Sequence, residues 1–181
     1  MLRTSKLTAL SLSDNSITDS GAILLARAVR KNKTSVLEYL SLRDNPVSRH
    51  SMAELAAMLA SNRTLQEVSL QDNDIGDAGA ALLVEVLAAP EAALQSLNLT
   101  KTGLTDATAA RIGAMLRTNT QLLKLYLPGN TITAAGAEAM VVHVAGHPTL
   151  KMLSLPVELE AWWAERKITM SREVRKVVSC D

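Results

Sequence analysis

Apolar residues return along this chain in a fixed frame. Leu7, Leu10 and Leu12 alternate with small or polar residues, and Asn15 and Ile17 follow, giving the spacing L-x-x-L-x-L-x-x-N-x-I. The frame recurs at Leu37, Leu40, Leu42, Asn45 and Val47, and at Leu65, Val68, Leu70, Asn73 and Ile75. Leu94, Leu97, Leu99, Thr102 and Leu104 form the fourth copy, with Leu122, Leu125, Leu127, Asn130 and Ile132 the fifth. A partial sixth holds Leu150, Leu153 and Leu155. Steps of 30, 28, 29, 28 and 28 residues separate the first leucines, a regularity that chance does not produce.

Each column implies local structure. The x-L-x-L portion has the period of two expected of a short strand with one buried face. The asparagine column stands where the chain must leave the strand, and an amide there can bond backbone groups of neighbouring coils. Thr102 breaks that column and is expected to loosen its rung. Eleven residues after each first leucine come Thr18, Ser48, Gly76, Thr105 and Thr133, all suited to cap a helix N-terminus. Gly21, Ser51, Gly79, Thr108 and Gly136 follow three residues on, small enough for a first turn pressed against the strand layer. Leu25, Leu55, Leu83, Ile112 and Met140, then Val29, Leu59, Leu87, Leu116 and Val144, make the i, i+4 core stripe of a helix. Helices should end near Asn32, Asn62, Pro90 and Asn119. The unit is strand, turn, helix, turn. Stacked, it gives a parallel inner sheet and outer helices, an α/β solenoid of about six repeats.

Composition narrows the picture. Hydrophobic residues make up 48% but aromatic residues only 2%, with no Phe, so the core is aliphatic. A net charge of +1 gives no general pull toward nucleic acid or an anionic membrane, and neither is expected as a partner. Cys180 is the single cysteine, which rules out an intrachain disulfide and points to a reducing, cytoplasmic setting. Met1 to Lys6 lack a signal peptide's apolar run.

The frame, its period of 28 to 29 and the Gly-Ala pairs Gly21-Ala22, Gly79-Ala80 and Gly136-Ala137 resemble the ribonuclease-inhibitor-like leucine-rich repeats. That family includes ribonuclease inhibitor, NOD-like receptor sensor regions, tropomodulin-like actin cappers and activators of the Ran GTPase. The resemblance spans Leu7 to Leu155. It implies a horseshoe fold and a protein partner, and leaves the partner to the exposed residues.

The ends depart from the frame. Met1-Leu2-Arg3-Thr4 reads like Met115-Leu116-Arg117-Thr118, so residues 1–6 look like the tail of a preceding repeat within a repeat domain covering 1–155. Either a longer repeat protein continues upstream, or a partner covers this end. Residues 156–181 read as a C-terminal cap: Leu159, Trp162 and Trp163 have helical spacing, as do Met170, Val174, Val177 and Val178. Exposed tryptophans would instead anchor a partner. Arg166, Lys167, Arg172, Arg175 and Lys176 make this tail basic, as a solvated face would be.

Catalytic motifs are absent, and neither enzyme activity nor a cofactor is expected. His143 and His147 have metal-sharing i, i+4 spacing. Their columns, however, hold Ala28, Met58, Val86 and Met115, and Asn32, Asn62 and Asn119, so both read as variants at structural positions. His50 has no evident partner, and Cys180 no local base. The candidate binding residues lie between the strand leucines and at strand exits: Glu38, Tyr39, Arg43, Asp44, Glu67, Asp72, Lys101, Leu123, Lys124, Tyr126, Lys151 and Met152. Acids gather in repeats one to three, while Lys101, Lys124 and Lys151 read as a basic line beside Leu123, Tyr126 and Met152. The bland reading is a surface kept soluble. The functional reading is a graded face for a protein partner, with Tyr39 and Tyr126 as anchors. The expectation is therefore a non-catalytic interaction scaffold, a module of a larger scaffold, sensor or cytoskeletal assembly. The alternatives are a GTPase activator using Arg43, the one arginine at a strand exit, and a sensor or effector fragment.

Overall fold

The computed structural model describes residues 6–144 and 147–165. Six parallel strands form one open sheet in chain order: β1 (Ala9–Ser11), β2 (Tyr39–Ser41), β3 (Glu67–Ser69), β4 (Ser96–Asn98), β5 (Lys124–Tyr126) and β6 (Met152–Ser154). Helices alternate with them: α1 (Asp19–Lys31), α2 (Met52–Ser61), α3 (Gly76–Leu87), α4 (Asp106–Leu116), α5 (Ala134–Val141) and α6 (Glu160–Glu165). Helices α1 to α5 pack in order, each of the first four on its successor, so strands and helices form two parallel layers with the core between them. This is the solenoid that the 28-residue pattern predicts.

Register follows the leucine columns, with Leu10, Leu40, Val68, Leu97, Leu125 and Leu153 side by side across the sheet. From Leu40 onward this row is at most 4% exposed. Among the described residues, the first repeat is less complete: Leu7 is 55% exposed, and Leu10, Leu12, Ile17, Leu25 and Val29 are only partly buried. At the other end, Leu159 is buried and Trp162 packs against the core. The side chain of Trp163 and residues 166–181 lie outside the described residues, and with them the basic tail and Cys180.

The asparagine column forms a hydrogen-bonded ladder. Asn73 Nδ2 donates to the carbonyls of Leu70 and of Leu42 in the preceding repeat, at 3.0 and 2.9 Å. Its Oδ1 accepts from Val47 N at 3.2 Å. Asn45 and Asn130 repeat this arrangement. Thr102 Oγ1 reaches only Leu99 O, at 2.7 Å, and a backbone bond from Gly76 N to Thr102 O, at 3.0 Å, joins the two repeats instead. The rung is rerouted rather than lost. Gly76 has φ 57° and opens α3 itself, with Ile75 at the cap position, so the expectation that Gly76 caps this helix is corrected. Ser48, Thr105 and Thr133 do accept capping bonds, whereas Thr18 makes none.

The small column at the helix starts serves a different contact from the one expected. A Cβ on Gly136 would collide with the Asp106 carboxylate, and one on Gly79 would lie 2.7 Å from Met52 Cγ. At Gly79 and Gly136 space is demanded by the start of the neighbouring helix, whereas a Cβ on Gly21 would meet Ile17 Cγ2 of its own repeat at 3.0 Å.

That neighbouring start carries a second ladder. Asp19 accepts from Ser48 N and Oγ at 2.8 and 2.6 Å, Asp77 from Thr105 N and Oγ1 at 3.0 and 2.6 Å, and Asp106 from Thr133 N and Oγ1 at 2.7 and 2.6 Å. Thr108 Oγ1 also donates to Asp77. Each carboxylate thus sits at one helix N-terminus and binds the cap of the next.

Candidate functional site

In a strand, residues flanking a buried leucine project to the opposite face. Two rows therefore cover the free side of the sheet: Ala9, Tyr39, Glu67, Ser96, Lys124 and Met152, then Ser11, Ser41, Ser69, Asn98, Tyr126 and Ser154. Between β2 and β5 these rows bound a groove of about 500 Å³. Tyr39 and Tyr126 stand at diagonal ends, three strand spacings across and two residues along, or ~16 Å apart. Ser41, Ser69, Ser96 and Asn98 make its floor, and Arg43, Asp44, Glu67 and Lys124 bring charge to it. The groove carries three carboxylates, Asp14, Asp44 and Glu67, against two cations. Small polar residues between aromatic walls leave room for an inserted side chain and supply donors and acceptors to orient it.

Six of the twelve candidate residues meet in this groove: Tyr39, Arg43, Asp44, Glu67, Lys124 and Tyr126. The other six do not line it. Glu38, Leu123 and Lys151 each precede a strand by one residue, and Met152 starts the outermost strand. Asp72 and Lys101 lie at strand exits. The three lysines accordingly occupy three different columns, so the basic line is a diagonal scatter. The charge gradient is blunted as well, since Asp72 lies 3.8 Å from Arg43 Nε and 3.7 Å from Lys101 Nζ. Ser13 and Gln71 also line the groove but were not among the candidates. Their signal was available: both stand one residue past the second strand leucine, the column that Arg43 occupies.

Gln71 ties the floor to the rim. Its Nε2 donates to Asp72 Oδ2 at 2.9 Å, and its Oε1 accepts from Asn98 Nδ2 at 3.1 Å. At the opposite edge, Ser11, Ser13 and Ser41 hydroxyls form a chain of 3.1 and 2.7 Å contacts. These bonds hold side chains that would otherwise rotate freely.

His147 Nδ1 accepts from Leu150 N at 2.9 Å and from Thr149 N at 3.3 Å. Asn119 Oδ1 accepts from Leu122 N and Gln121 N in the same way, which is the structural role its column implied. Burial lowers the His147 pKa, favouring the neutral ring that this acceptor role needs. No group of metal-binding side chains gathers among the described residues, and no described helix is long and apolar enough to cross a membrane. His50 does have partners: its Nδ1 lies 2.9 Å from Ser48 Oγ and 3.8 Å from Asp19.

With this geometry in place, the chain can be compared with known proteins. The PRAME C-terminal domain family matches residues 1–177. NACHT, LRR and PYD domains-containing protein 3 of Macaca mulatta is 33% identical over 180 residues, covering 95% of this chain and 17% of that protein. Ribonuclease inhibitor of Mus musculus is 33% identical over 134 residues, covering 77% of this chain and 29% of the inhibitor. The chain therefore spans only a minor part of these relatives. Among solved structures, leiomodin-1 actin-binding site 2 superposes with a TM-score of 0.60 over 75% of this chain and 76% of that one. At 24% identity it shares the fold. By the match over residues 1–177 the chain belongs to the PRAME C-terminal domain family, and by its repeat frame to the ribonuclease-inhibitor-like leucine-rich repeat proteins.

Proposed function

We propose that this chain is a non-catalytic protein-binding scaffold that takes its partner on the free face of the sheet. The observation that carries this reading is the groove between β2 and β5, with a tyrosine at each end and Glu67 and Lys124 ~10 Å apart in one row. Tyrosines give large contact area and a polar tip, the character of interface anchors. Opposite charges on a shared row fix the direction in which a partner segment lies. The relatives lend support by name, since ribonuclease inhibitor and the leiomodin-1 actin-binding site are both defined by a protein they engage. A reducing, intracellular setting fits a chain with one cysteine.

Residues 1–155 serve in this reading as the repeat domain and 156–181 as its cap, within a larger chain or complex. The GTPase-activator alternative is not favoured, because the relatives reported above are named for an inhibitor and an actin-binding site.

The test pairs binding with stability. Capture from native cells, identified by mass spectrometry, is run with wild type and with Lys124→Ala/Tyr126→Ala. Both side chains are only partly buried, so the thermal midpoint should hold within about 2 °C while the partner is lost. An identical set of retained proteins would place the binding surface elsewhere.

A further inference from the structure

The residue before each ladder position adopts the left-handed conformation: Asp14, Asp44, Asp72, Lys101 and Gly129 have φ of 57°, 53°, 54°, 52° and 67°. The backbone imposes it. Asp14 N, Asp44 N, Asp72 N and Lys101 N each donate to a carbonyl of the next repeat, at 2.9, 2.9, 2.9 and 2.8 Å. Aspartate tolerates this conformation because its short polar side chain can satisfy local groups, and glycine because it has no Cβ. Lysine has neither advantage. Its presence at the fourth position is a conformational strain that the fold does not require.

The fold gains little from it in return. Lys101 Nζ lies 3.7 Å from Asp72 Oδ1 with 65% of the side chain exposed, and such an ion pair contributes almost nothing to stability. Yet its neighbours accommodate it: a Cβ on Gly129 would fall 2.5 Å from Lys101 Cγ. Arg43, 53% exposed, approaches the other Asp72 oxygen at 3.8 Å, and Gln71 connects that carboxylate to the groove floor. The rim thus presents two exposed cations around one carboxylate that is already hydrogen-bonded.

We propose that Lys101, with Arg43, is a specificity-determining residue that receives an acidic side chain of the protein partner at the rim of the groove. This rests on the reading of the groove as the binding face. A carboxylate arriving between the two cations would complete a pair of ion contacts around Asp72. The partner segment would therefore be acidic where it leaves the groove past β3 and β4.

The experiment uses a displayed library of random linear peptides, selected on the whole wild-type chain. Lys101→Asn, Lys101→Arg and Tyr126→Ala serve as comparison baits. Asparagine suits the left-handed conformation, so Lys101→Asn should raise the melting temperature by about 2–4 °C. Peptides selected on wild type should be enriched in Asp and Glu, lose about three- to tenfold in affinity for Lys101→Asn, and keep it for Lys101→Arg. They should also fail on Tyr126→Ala. Peptides that need Tyr126 but ignore Lys101→Asn would overturn the cationic rim and leave the groove reading standing. Peptides indifferent to Tyr126→Ala would overturn both. A melting temperature that does not rise in Lys101→Asn would remove the premise that the fold has no use for this lysine.

Discussion

The asparagine ladder shows how one residue type can do unequal work along a repeat. Asn73 is 4% exposed and joins two repeats through Nδ2 and Oδ1. Replacing it with Ala takes the Asn73 donor from the Leu70 carbonyl and removes both bonds to the preceding repeat, although Val47 N keeps Asn45 O at 2.8 Å and Leu42 O keeps Asn45 Nδ2 at 3.0 Å. One unsatisfied buried carbonyl costs about 1–3 kcal/mol and each lost hydrogen bond about 1 kcal/mol, with relaxation recovering part, so Asn73→Ala should cost about 2–4 kcal/mol. Asn15 is exposed, and its amide donates only within its own repeat, to Leu12 O and Ser13 O. Asn15→Ala should cost under about 1 kcal/mol. Urea unfolding of the two variants checks the contrast, and equal losses would mean that the bonds between repeats are not what stabilises the ladder.

Between elements, the helix starts are joined by carboxylates. Partial burial alone would raise the Asp77 carboxyl, but the hydrogen bonds from Thr105 and Thr108 outweigh it and hold the group below its ordinary value of 3.8. Asp19 behaves likewise: burial opposes ionisation, and bonds from Ser48 and Ser51 with the nearby His50 overcome it. A carboxyl depressed in the folded state stabilises the fold fully above its unfolded value, and loses that contribution as pH falls through the folded value. Both groups therefore add to stability at neutral pH and fail below about pH 4. Asp77→Asn keeps one acceptor and loses the charge. It should cost about 1–2 kcal/mol at neutral pH, a figure reduced for partial solvation, and the deficit should shrink toward zero in acid. Chemical denaturation across a pH series measures this, and a deficit constant with pH would exclude the charge as its source.

For the whole molecule, stacking makes stability a sum over neighbours. Leu97, 1% exposed, has a repeat on either side, whereas Leu10 belongs to the half-buried first repeat. Leu97→Ala should cost about 2–5 kcal/mol and Leu10→Ala distinctly less. Amide hydrogen exchange should accordingly be fastest in β1 and α1 and slowest in the strands and helices of repeats three and four. Uniform protection along the stack would mean that the chain opens as one unit. The same stacking makes the groove possible, since the strands from β2 to β5 set Tyr39 and Tyr126 diagonally across a floor of small side chains.

The sequence by itself determined the repeat length, the strand and helix columns, the parallel order and the structural role of His147, because each is a one-dimensional periodicity that stacking repeats faithfully. Tertiary structure decided what periodicity does not encode. The Asp19, Asp77 and Asp106 ladder was not anticipated, since each carboxylate finds its partner 27 to 31 residues away, across a helix–helix contact rather than along one helix. The candidate surface divided for the same reason. Column position told which side chains leave the core, but whether Lys101, Lys124 and Lys151 share a neighbourhood depends on the register of six strands. The left-handed backbone at Lys101 likewise follows from the hydrogen bonds of the stack and is visible only there.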